Sequence, residues 1–400
     1  PEREVNHHTP STVDEMLFAL LGSGLFGAPL PAISVRAPSF WFELFQEAAR
    51  QTVLPMVLES SYAFSPSVRP PEAVIAPFRS LAISQTIKNE RLLAAQDALL
   101  AAFTKKSIPC LILKGSSSAF VYPRPEQRVL GDIDLLVERA FLEEASSALL
   151  ALGYQRSPVN EAFHIGFHSP DAFVELHFEA TEYPESPAGA FLRSIMADAV
   201  REPRAITMNG YVFPALSLKR QAVSLLIHMQ HHMKGTGMGL RHLCDFAMFV
   251  NSVAPDVWHQ DVAPVLRRGG LLRFAEALAR SCVLYLGLPA SRAPWCADVE
   301  AALARDMIMD FFDSGNFGHK QPNLRATAVL SADKAGTGAG GGMLRRTVAN
   351  INHHARANYP LARRLPFLLP VFWVYLPIRY LVGTTKKQGQ PGVFSTFLSA

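Results

Sequence analysis

The sequence is poor in cysteine and in charge. Charged residues make up 18% of the 400 positions, and there are four cysteines, none in a C-x-x-C pair: Cys110, Cys244, Cys282 and Cys296. Scattered cysteines within apolar segments indicate buried free thiols and exclude a disulfide-dense scaffold. Together with a polar N-terminal stretch that does not resemble a signal peptide, they predict a cytoplasmic protein.

The signatures of several enzyme classes are also absent. The chain contains no G-x-x-x-x-G-K-[ST], G-x-S-x-G or H-E-x-x-H motif. Gly336, Gly338 and Gly341 fit G-x-G-x-x-G, but they lie in an alanine-glycine stretch with no strand before them. His164 and His168 lack a cysteine partner, so a zinc site is not predicted there.

Charge and apolar content define the class of protein. Apolar residues make up 49% of the chain, which suits a globular protein with a substantial core. The formal charge of +4, from 38 basic and 34 acidic residues, is a small excess. Such an excess suits a polyanionic ligand like a nucleoside triphosphate and does not require nucleic acid.

Periodicity divides the chain into four predicted regions. Short apolar runs and alternating stretches between them predict a small mixed sheet, so the fold class is α+β with helical flanks. The regions are an N-terminal helical region (1–103), a sheet-containing core (104–215), a C-terminal helical domain (216–330), and a glycine-alanine linker followed by an apolar C-terminal segment (331–400).

Two interpretations of the apolar segment 365–382 stay open. It approaches the length of a bilayer span, but three prolines and Arg379 interrupt it, which argues against a continuous spanning helix. It either packs in a core or makes a peripheral membrane or protein contact, flanked by basic residues.

The stretch VLGDIDLLV at 129–137 carries the main candidate residues. Side chains at i and i+2 of a strand share a face, so Asp132 and Asp134 are expected to lie together. Two neighbouring carboxylates repel each other unless a cation lies between them. Because the run is otherwise apolar, a solvated strand edge is disfavoured and a divalent-metal site is predicted.

Two further elements complete the predicted site. Lys114-Gly115 with Ser116 and Ser117 follows the apolar run IPCLIL, where a strand-to-helix turn could contact a phosphate; an ordinary serine-rich cap is the alternative. Glu175, in the alternating stretch 172–180, is either a third carboxylate of the site or an outward-facing strand residue. If it joins the site, its role is metal ligand or base.

The histidines before a glycine-rich turn allow two interpretations. His228, His231 and His232 precede Lys234, with Arg241 and His242 shortly after. They form either a surface helix end or a basic wall of a nucleotide or acceptor cleft.

The motifs together resemble the nucleotidyltransferase superfamily with the DNA polymerase β-like fold. The resemblance rests on LILKGSS, then Tyr122, Pro123 and Arg128, then GDIDLLV, a helix closed by Leu-Gly-Tyr, and VELH. More narrowly, the chain is similar to a bacterial nucleotidyltransferase family group, whose later helices carry residues matching Arg241 and Asp245. The resemblance covers about 100–250.

The resemblance implies roles for individual residues. Gly115 and Ser116 would hold the β- and γ-phosphates, Asp132 and Asp134 would bind metal, and Glu175 would be the third carboxylate. Departures are Lys114, where the wider superfamily has an apolar residue or glycine, and a longer spacing from Gly115 to Asp132. Lys114 and Arg128 are then expected to stabilise triphosphate charge, and a loop insertion is expected after Gly115.

The resulting functional expectation is transfer of a nucleoside monophosphate, with AMP favoured, and release of pyrophosphate in a two-Mg²⁺ mechanism. Manganese is the alternative metal. The acceptor is a small molecule, a peptide or protein, or RNA. The competing class is a non-catalytic binding or membrane-associated assembly protein that retains the fold.

Overall fold

The computed structural model describes residues 12–160, 163–181, 183–184, 186–234 and 238–314, with 369, 370 and 373. The chain divides into a unit over 1–336 and a unit over 337–400, and the fold below is that of the first unit. The stretch 331–343 and nearly all of 365–382 lie outside the described residues. The predicted division into four regions, the linker and the C-terminal contact therefore stay predictions.

The helices and strands have the following bounds. The strands are β1 Cys110–Ile112, β2 Ile133–Val137, β3 Gln155–Asn160, β4 His164–His168, β5 Phe173–His177, β6 Arg204–Met208 and β7 Tyr211–Ala215. The helices are α1 Val13–Phe26, α2 Pro38–Arg50, α3 Leu54–Ser61, α4 Glu72–Lys105, α5 Ser116–Ala119, α6 Leu142–Ala151, α7 Pro187–Met196, α8 Leu218–Lys234, α9 Leu240–Ser252, α10 Pro255–Val257, α11 Ala263–Arg268, α12 Leu272–Ser281 and α13 Ala301–Ser314.

The strands form one seven-stranded sheet in the order β3-β4-β5-β2-β1-β7-β6. The central strand β2 pairs in parallel with β5 and antiparallel with β1. Antiparallel neighbours extend the sheet on both sides, β4 beside β5 and β6 beside β7. The sheet is therefore mixed and lies between helical segments in the chain, which confirms the predicted α+β class.

The longest helix of the described residues is α4, which has 34 residues and passes through Pro77. A proline removes one helical hydrogen bond and tends to end or kink a helix. Pro77 lies near the beginning of α4, and the apolar residues Leu92, Leu99 and Phe103 further along it are buried against the sheet. Burial of this face stabilises the helix as a whole.

The two faces of β2 pack against different parts of the protein. Ile133, Leu135 and Val137 join the core cluster that contains residues of α4 and α6. Leu136 faces the other way, into the cluster formed with α8 and α9. Asp134 shares the face of Leu136 because it lies two residues away. The alternation along β2 therefore directs this carboxylate toward the C-terminal helices.

A buried ion pair connects the sheet region to α9. The Arg128 guanidinium donates from Nε to Asp245 Oδ1 at 3.1 Å and from Nη2 to Asp245 Oδ2 at 2.6 Å. The Tyr122 hydroxyl donates to the same Oδ1 at 2.7 Å. Arg128 and Asp245 are 5% and 4% exposed. Both oxygens of a buried carboxylate are thus paired, as burial of such a charge requires.

No helix among the described residues is long and apolar enough to cross a membrane.

Removal of the Asp245 carboxylate is expected to destabilise the protein strongly. In Asp245→Ala, the buried Arg128 cation loses its counter-charge, which costs about 3–5 kcal/mol of unfolding free energy. Urea denaturation of the full chain measures this value. The matched control is Glu138→Ala, which breaks the exposed pair with Arg201 and is expected to cost under about 1 kcal/mol. Equal losses in the two variants would contradict the structural role of the buried pair.

Candidate active site

Three carboxylates meet where β2 and β5 run side by side. Asp132 immediately precedes β2, Asp134 lies within it, and Asp134 pairs in register with Glu175 of β5. One oxygen from each of the three side chains lies within 4.8 Å of the other two. The structure thus brings together the three acids singled out in the sequence, because strand alternation and parallel pairing place them on one face.

Lys114 supplies positive charge to this cluster. Its Nζ lies 2.9 Å from Asp134 Oδ1 and 3.8 Å from Glu175 Oε2, and the Asp134 side chain is 0% exposed. Burial lowers the pKa of Lys114, but the carboxylates of Asp134, Asp132 and Glu175 outweigh burial and raise it above its usual value. Lys114 is therefore an ammonium ion that neutralises part of the acidic cluster.

His177 is a second basic group in the cluster, and the sequence did not assign it a role. Its Nε2 lies 3.1 Å from Asp134 Oδ1 and 3.2 Å from Glu175 Oε2, while Nδ1 lies 3.3 Å from the Glu179 carbonyl oxygen. Both ring nitrogens thus face oxygen acceptors. Burial lowers the pKa of His177, yet its hydrogen bonds to Asp134 and Glu175 raise it overall. The spacing of Glu175 and His177, two residues apart in VELH, was the available sequence signal.

The acids of the cluster differ in proton affinity. Burial, followed by repulsion from Asp134, raises the pKa of Asp132. Burial also acts to raise the pKa of Glu175, but the hydrogen bond from His177 and the charge of Lys114 lower it to about 2. Glu175 is therefore ionised across the ordinary pH range, whereas Asp132 is the acid that more readily accepts a proton.

The carboxylates fit a divalent cation such as Mg²⁺. Oxygen ligands shared by a few carboxylates are the ligands that Mg²⁺ prefers. Asp134 Oδ2 is buried and has no hydrogen-bond partner within the described part of the chain. A buried carboxylate oxygen without a partner is costly, and a cation bound by Asp132, Asp134 and Glu175 would satisfy it.

The phosphate-loop prediction falls on the turn between β1 and α5. Gly115 has φ of 74°, a left-handed conformation that favours glycine. The Ser116 hydroxyl donates to Gln96 Oε1 at 2.6 Å, and the Ser117 hydroxyl donates to the Leu113 carbonyl at 3.0 Å. Both hydroxyls therefore hold the turn in place. Their predicted contacts with phosphate stay predictions, as does that of Gly115.

Two of the other predicted nucleotide-binding residues, Arg128 and Arg241, lie around the same site. Arg128 gives two donors to Asp245, and Nη1 of both Arg128 and Arg241 donates to the Val129 carbonyl, at 3.1 and 3.3 Å. Arg128 and Arg241 both line the cavity beside the carboxylates. The Lys234 side chain lies outside the described residues. Nucleotide binding by these residues stays a prediction.

Asn89 of α4 holds the loop that leads into β2. Its Nδ2 donates to the carbonyls of Glu126 and Arg128, each at 2.9 Å, and its Oδ1 accepts from the Leu130 amide at 2.8 Å. Between Gly115 and Asp132 the chain forms α5 and a 3₁₀ turn, and the predicted insertion stays a prediction. Asn89 is far from this loop in sequence, so the local pattern offered no signal for it.

A cavity of about 400 Å³ lies in front of the carboxylates. Lys114, Gly115 and Arg241 line it together with the three acids. The lining also contains imidazoles from α8 and α9: His228, His231, His232 and His242. Burial, followed by the charge of Lys114, lowers the pKa of His228 well below its usual value and that of His232 to about 4. Burial, followed by Arg241, also lowers the pKa of His242 well below its usual value.

Comparison with known proteins gives one family match. A family described as uncharacterised nucleotidyltransferase matches residues 38–287, well over half of the chain. A search of curated proteins found no match. A crystal structure of an antigenic nucleotidyltransferase-like protein from Paracoccidioides brasiliensis aligns over 51% of this chain and 92% of its own, at 14% identity and a TM-score of 0.33. That structural overlap is too small to bear on the site.

Substitution of Lys114 tests the charge balance of the cluster. In Lys114→Met, the buried acids lose a counter-charge, so the unfolding free energy in chelator is expected to fall by about 3 kcal/mol. Added Mg²⁺ should raise the melting temperature of the variant more than that of the parent, because the cation replaces the missing charge. Lys88→Met at the exposed rim is the control. A Mg²⁺ response equal in parent and variant would contradict this balance.

The low pKa of Glu175 predicts a pH-dependent contribution to stability. A carboxyl with a pKa near 2 in the folded protein, against an ordinary 4.5, stabilises the fold fully above pH 4.5, and the contribution is lost as the pH falls toward 2. Glu175→Gln should therefore be less stable than the parent by roughly 3 kcal/mol at pH 6 in chelator, with a smaller gap at pH 3. Denaturant titrations at both pH values measure the gap. The exposed Glu144→Gln is the control, and a gap independent of pH would refute the shift.

Proposed function

Because the chain belongs to the family of uncharacterised nucleotidyltransferases, we propose that it transfers a nucleoside monophosphate from a nucleoside triphosphate to an acceptor. The observation that carries this proposal is the meeting of Asp132, Asp134 and Glu175 within 4.8 Å beside the Lys114-Gly115 turn. Three acids around one cavity are an arrangement suited to divalent cations and a triphosphate. We take ATP as the donor and AMP as the transferred group.

The proposed reaction is an in-line displacement at the α-phosphorus. An acceptor oxygen forms a bond to this phosphorus while the bridging P–O bond to the β-phosphate breaks, and its electron pair leaves on pyrophosphate. The acceptor proton passes to a carboxylate of the site. Glu175 is the acid proposed as metal ligand or base, and Asp132 and Asp134 are proposed as metal ligands.

The chain supplies charge and positioning for this reaction. Mg²⁺ or Mn²⁺ held by Asp132, Asp134 and Glu175 would supply Lewis-acid chemistry at the triphosphate. Lys114 and Arg241 line the same cavity and would stabilise phosphate charge. At Gly115, the absence of a side chain lets backbone approach a phosphate closely. Arg128 is paired with Asp245, so it would stabilise phosphate charge through its positive field more than by donating hydrogen bonds to the phosphates.

The acceptor is a small molecule, a peptide or protein, or RNA. The chain's charge excess of +4 is small for a nucleic-acid surface, which favours the first two. A cytoplasmic location and a membrane or protein contact through 365–382 also stay predictions. The non-catalytic alternative differs from the enzyme in requiring neither metal nor pyrophosphate release.

Loss of two carboxylates is expected to abolish transfer. With ATP labelled at the α-phosphate and Mg²⁺, the parent should label one of three acceptor pools, namely small hydroxyl compounds, peptides or RNA. Asp132→Asn with Asp134→Asn should reduce labelling and pyrophosphate release about 10³-fold or more, because metal ligands support several kcal/mol of transition-state stabilisation. Parallel reactions with the other three nucleotides test the preference for ATP.

Asp171→Asn, at an exposed position between β4 and β5, is the matched control and should keep parental activity. Calorimetric titration with a non-hydrolysable ATP analogue provides a measurement that needs no acceptor. Absence of any Mg²⁺-dependent binding of this analogue to the folded parent would overturn the proposal and favour the non-catalytic class.

A further inference from the structure

Three histidines form a compact cluster on the helical wall of the cavity. His228 and His232 are four residues apart on α8, so they share a helix face, and His242 reaches them from α9. The ring centroids of His228 and His232 are 4.3 Å apart, and that of His242 lies 5.7 and 5.2 Å from these two. One nitrogen from each ring lies within 4.8 Å of the other two.

The cluster has the chemistry of a transition-metal site. Imidazole nitrogens at i and i+4 of a helix plus a third from a neighbouring helix are a common way to bind zinc and related ions, at about 2.0–2.1 Å from each nitrogen. His242 is 6% exposed, and its Nδ1 has no hydrogen-bond partner in the described part of the chain. A buried ring nitrogen without a partner is unfavourable unless a ligand satisfies it.

The charges that face the cluster are balanced by acids. Lys114, Arg241 and Arg128 are cations whose field reaches these rings. Lys114, however, contacts Asp134, and Arg128 pairs with Asp245. Arg241 lies in the field of Asp132 and Asp245. The local charge therefore does not exclude a divalent cation.

We propose that His228, His232 and His242 bind a first-row transition-metal dication such as Zn²⁺ or Co²⁺, at a site separate from the carboxylate cluster but opening onto the same cavity. Three protein ligands leave a fourth position toward the cavity for water or a substrate atom. Nitrogen ligands favour these ions over Mg²⁺, whereas the carboxylates have the opposite preference. The proposal concerns a metal site alone and does not depend on nucleotidyl transfer.

Cobalt spectroscopy tests the site in the full chain. With excess Mg²⁺ present to occupy oxygen ligands, one equivalent of Co²⁺ should produce the strong visible absorption of four-coordinate cobalt, and Zn²⁺ should displace it. His228→Gln and His242→Gln should weaken Co²⁺ binding more than about 100-fold, beyond the effect of losing a supporting group. His259→Gln is the control, since it changes an exposed histidine that does not line the cavity.

A further variant keeps the test conclusive if a buried substitution prevents folding. Circular dichroism identifies folded proteins, and the partly exposed His232→Gln replaces any buried variant that fails to fold. The absorption should persist in Asp132→Asn with Asp134→Asn, which separates this site from the carboxylates. Octahedral cobalt spectra, or a spectrum unchanged by all three histidine substitutions, would overturn the proposal. If those variants instead weaken only the binding of an ATP analogue with Mg²⁺, the histidines form a phosphate-binding wall and bind no metal.

Discussion

Burial of the Asp134 carboxylate in the central strand determines the arrangement of the residues around it. Without a counter-charge, a carboxylate at this depth would cost several kcal/mol. The ammonium of Lys114 comes from the end of β1, and the imidazole of His177 from β5, the strands on either side of β2. Each neighbouring strand thus contributes a basic group at the level of the acid. The register of the sheet therefore also determines the electrostatics of the site, because it places these basic groups beside Asp134.

The contact between Arg128 and Asp245 extends this constraint to the C-terminal helices. Arg128 lies in the loop that leads into β2, and Asp245 lies on α9, which also carries Arg241 and His242. A bidentate pair has a fixed geometry, so it sets the position of α9 relative to the start of β2. The wall of the cavity formed by α9 is held opposite the carboxylates by this pair, with Asn89 fixing the same loop from α4.

The sequence predicts those features of the architecture that depend on a short repeat along the chain, such as the alternation of side chains in a strand. Asp132 and Asp134 share a face because strand alternation requires it, and the α+β class follows from short apolar runs between helical segments. The role of Asn89 depends on contacts between distant segments, for which a single sequence has no local signal. His177 could have been found, because it lies two residues from Glu175 and shares its strand face. The β6–β7 hairpin has a local signal that was not used, the Asn209-Gly210 turn between its strands.

Lys114 and the proposed metal ion compete for the same carboxylate oxygens. Its ammonium contacts the oxygen atoms of Asp134 and Glu175 that a divalent cation would also need. A cation that binds there must displace Lys114 or share these carboxylates with it, which lowers metal affinity relative to an uncompensated cluster. In return, the acids can be buried before any metal is present. A lysine at this position, where the wider superfamily has an apolar residue or glycine, would let the site fold without metal. Once displaced by a cation, its charge would lie beside the proposed triphosphate site.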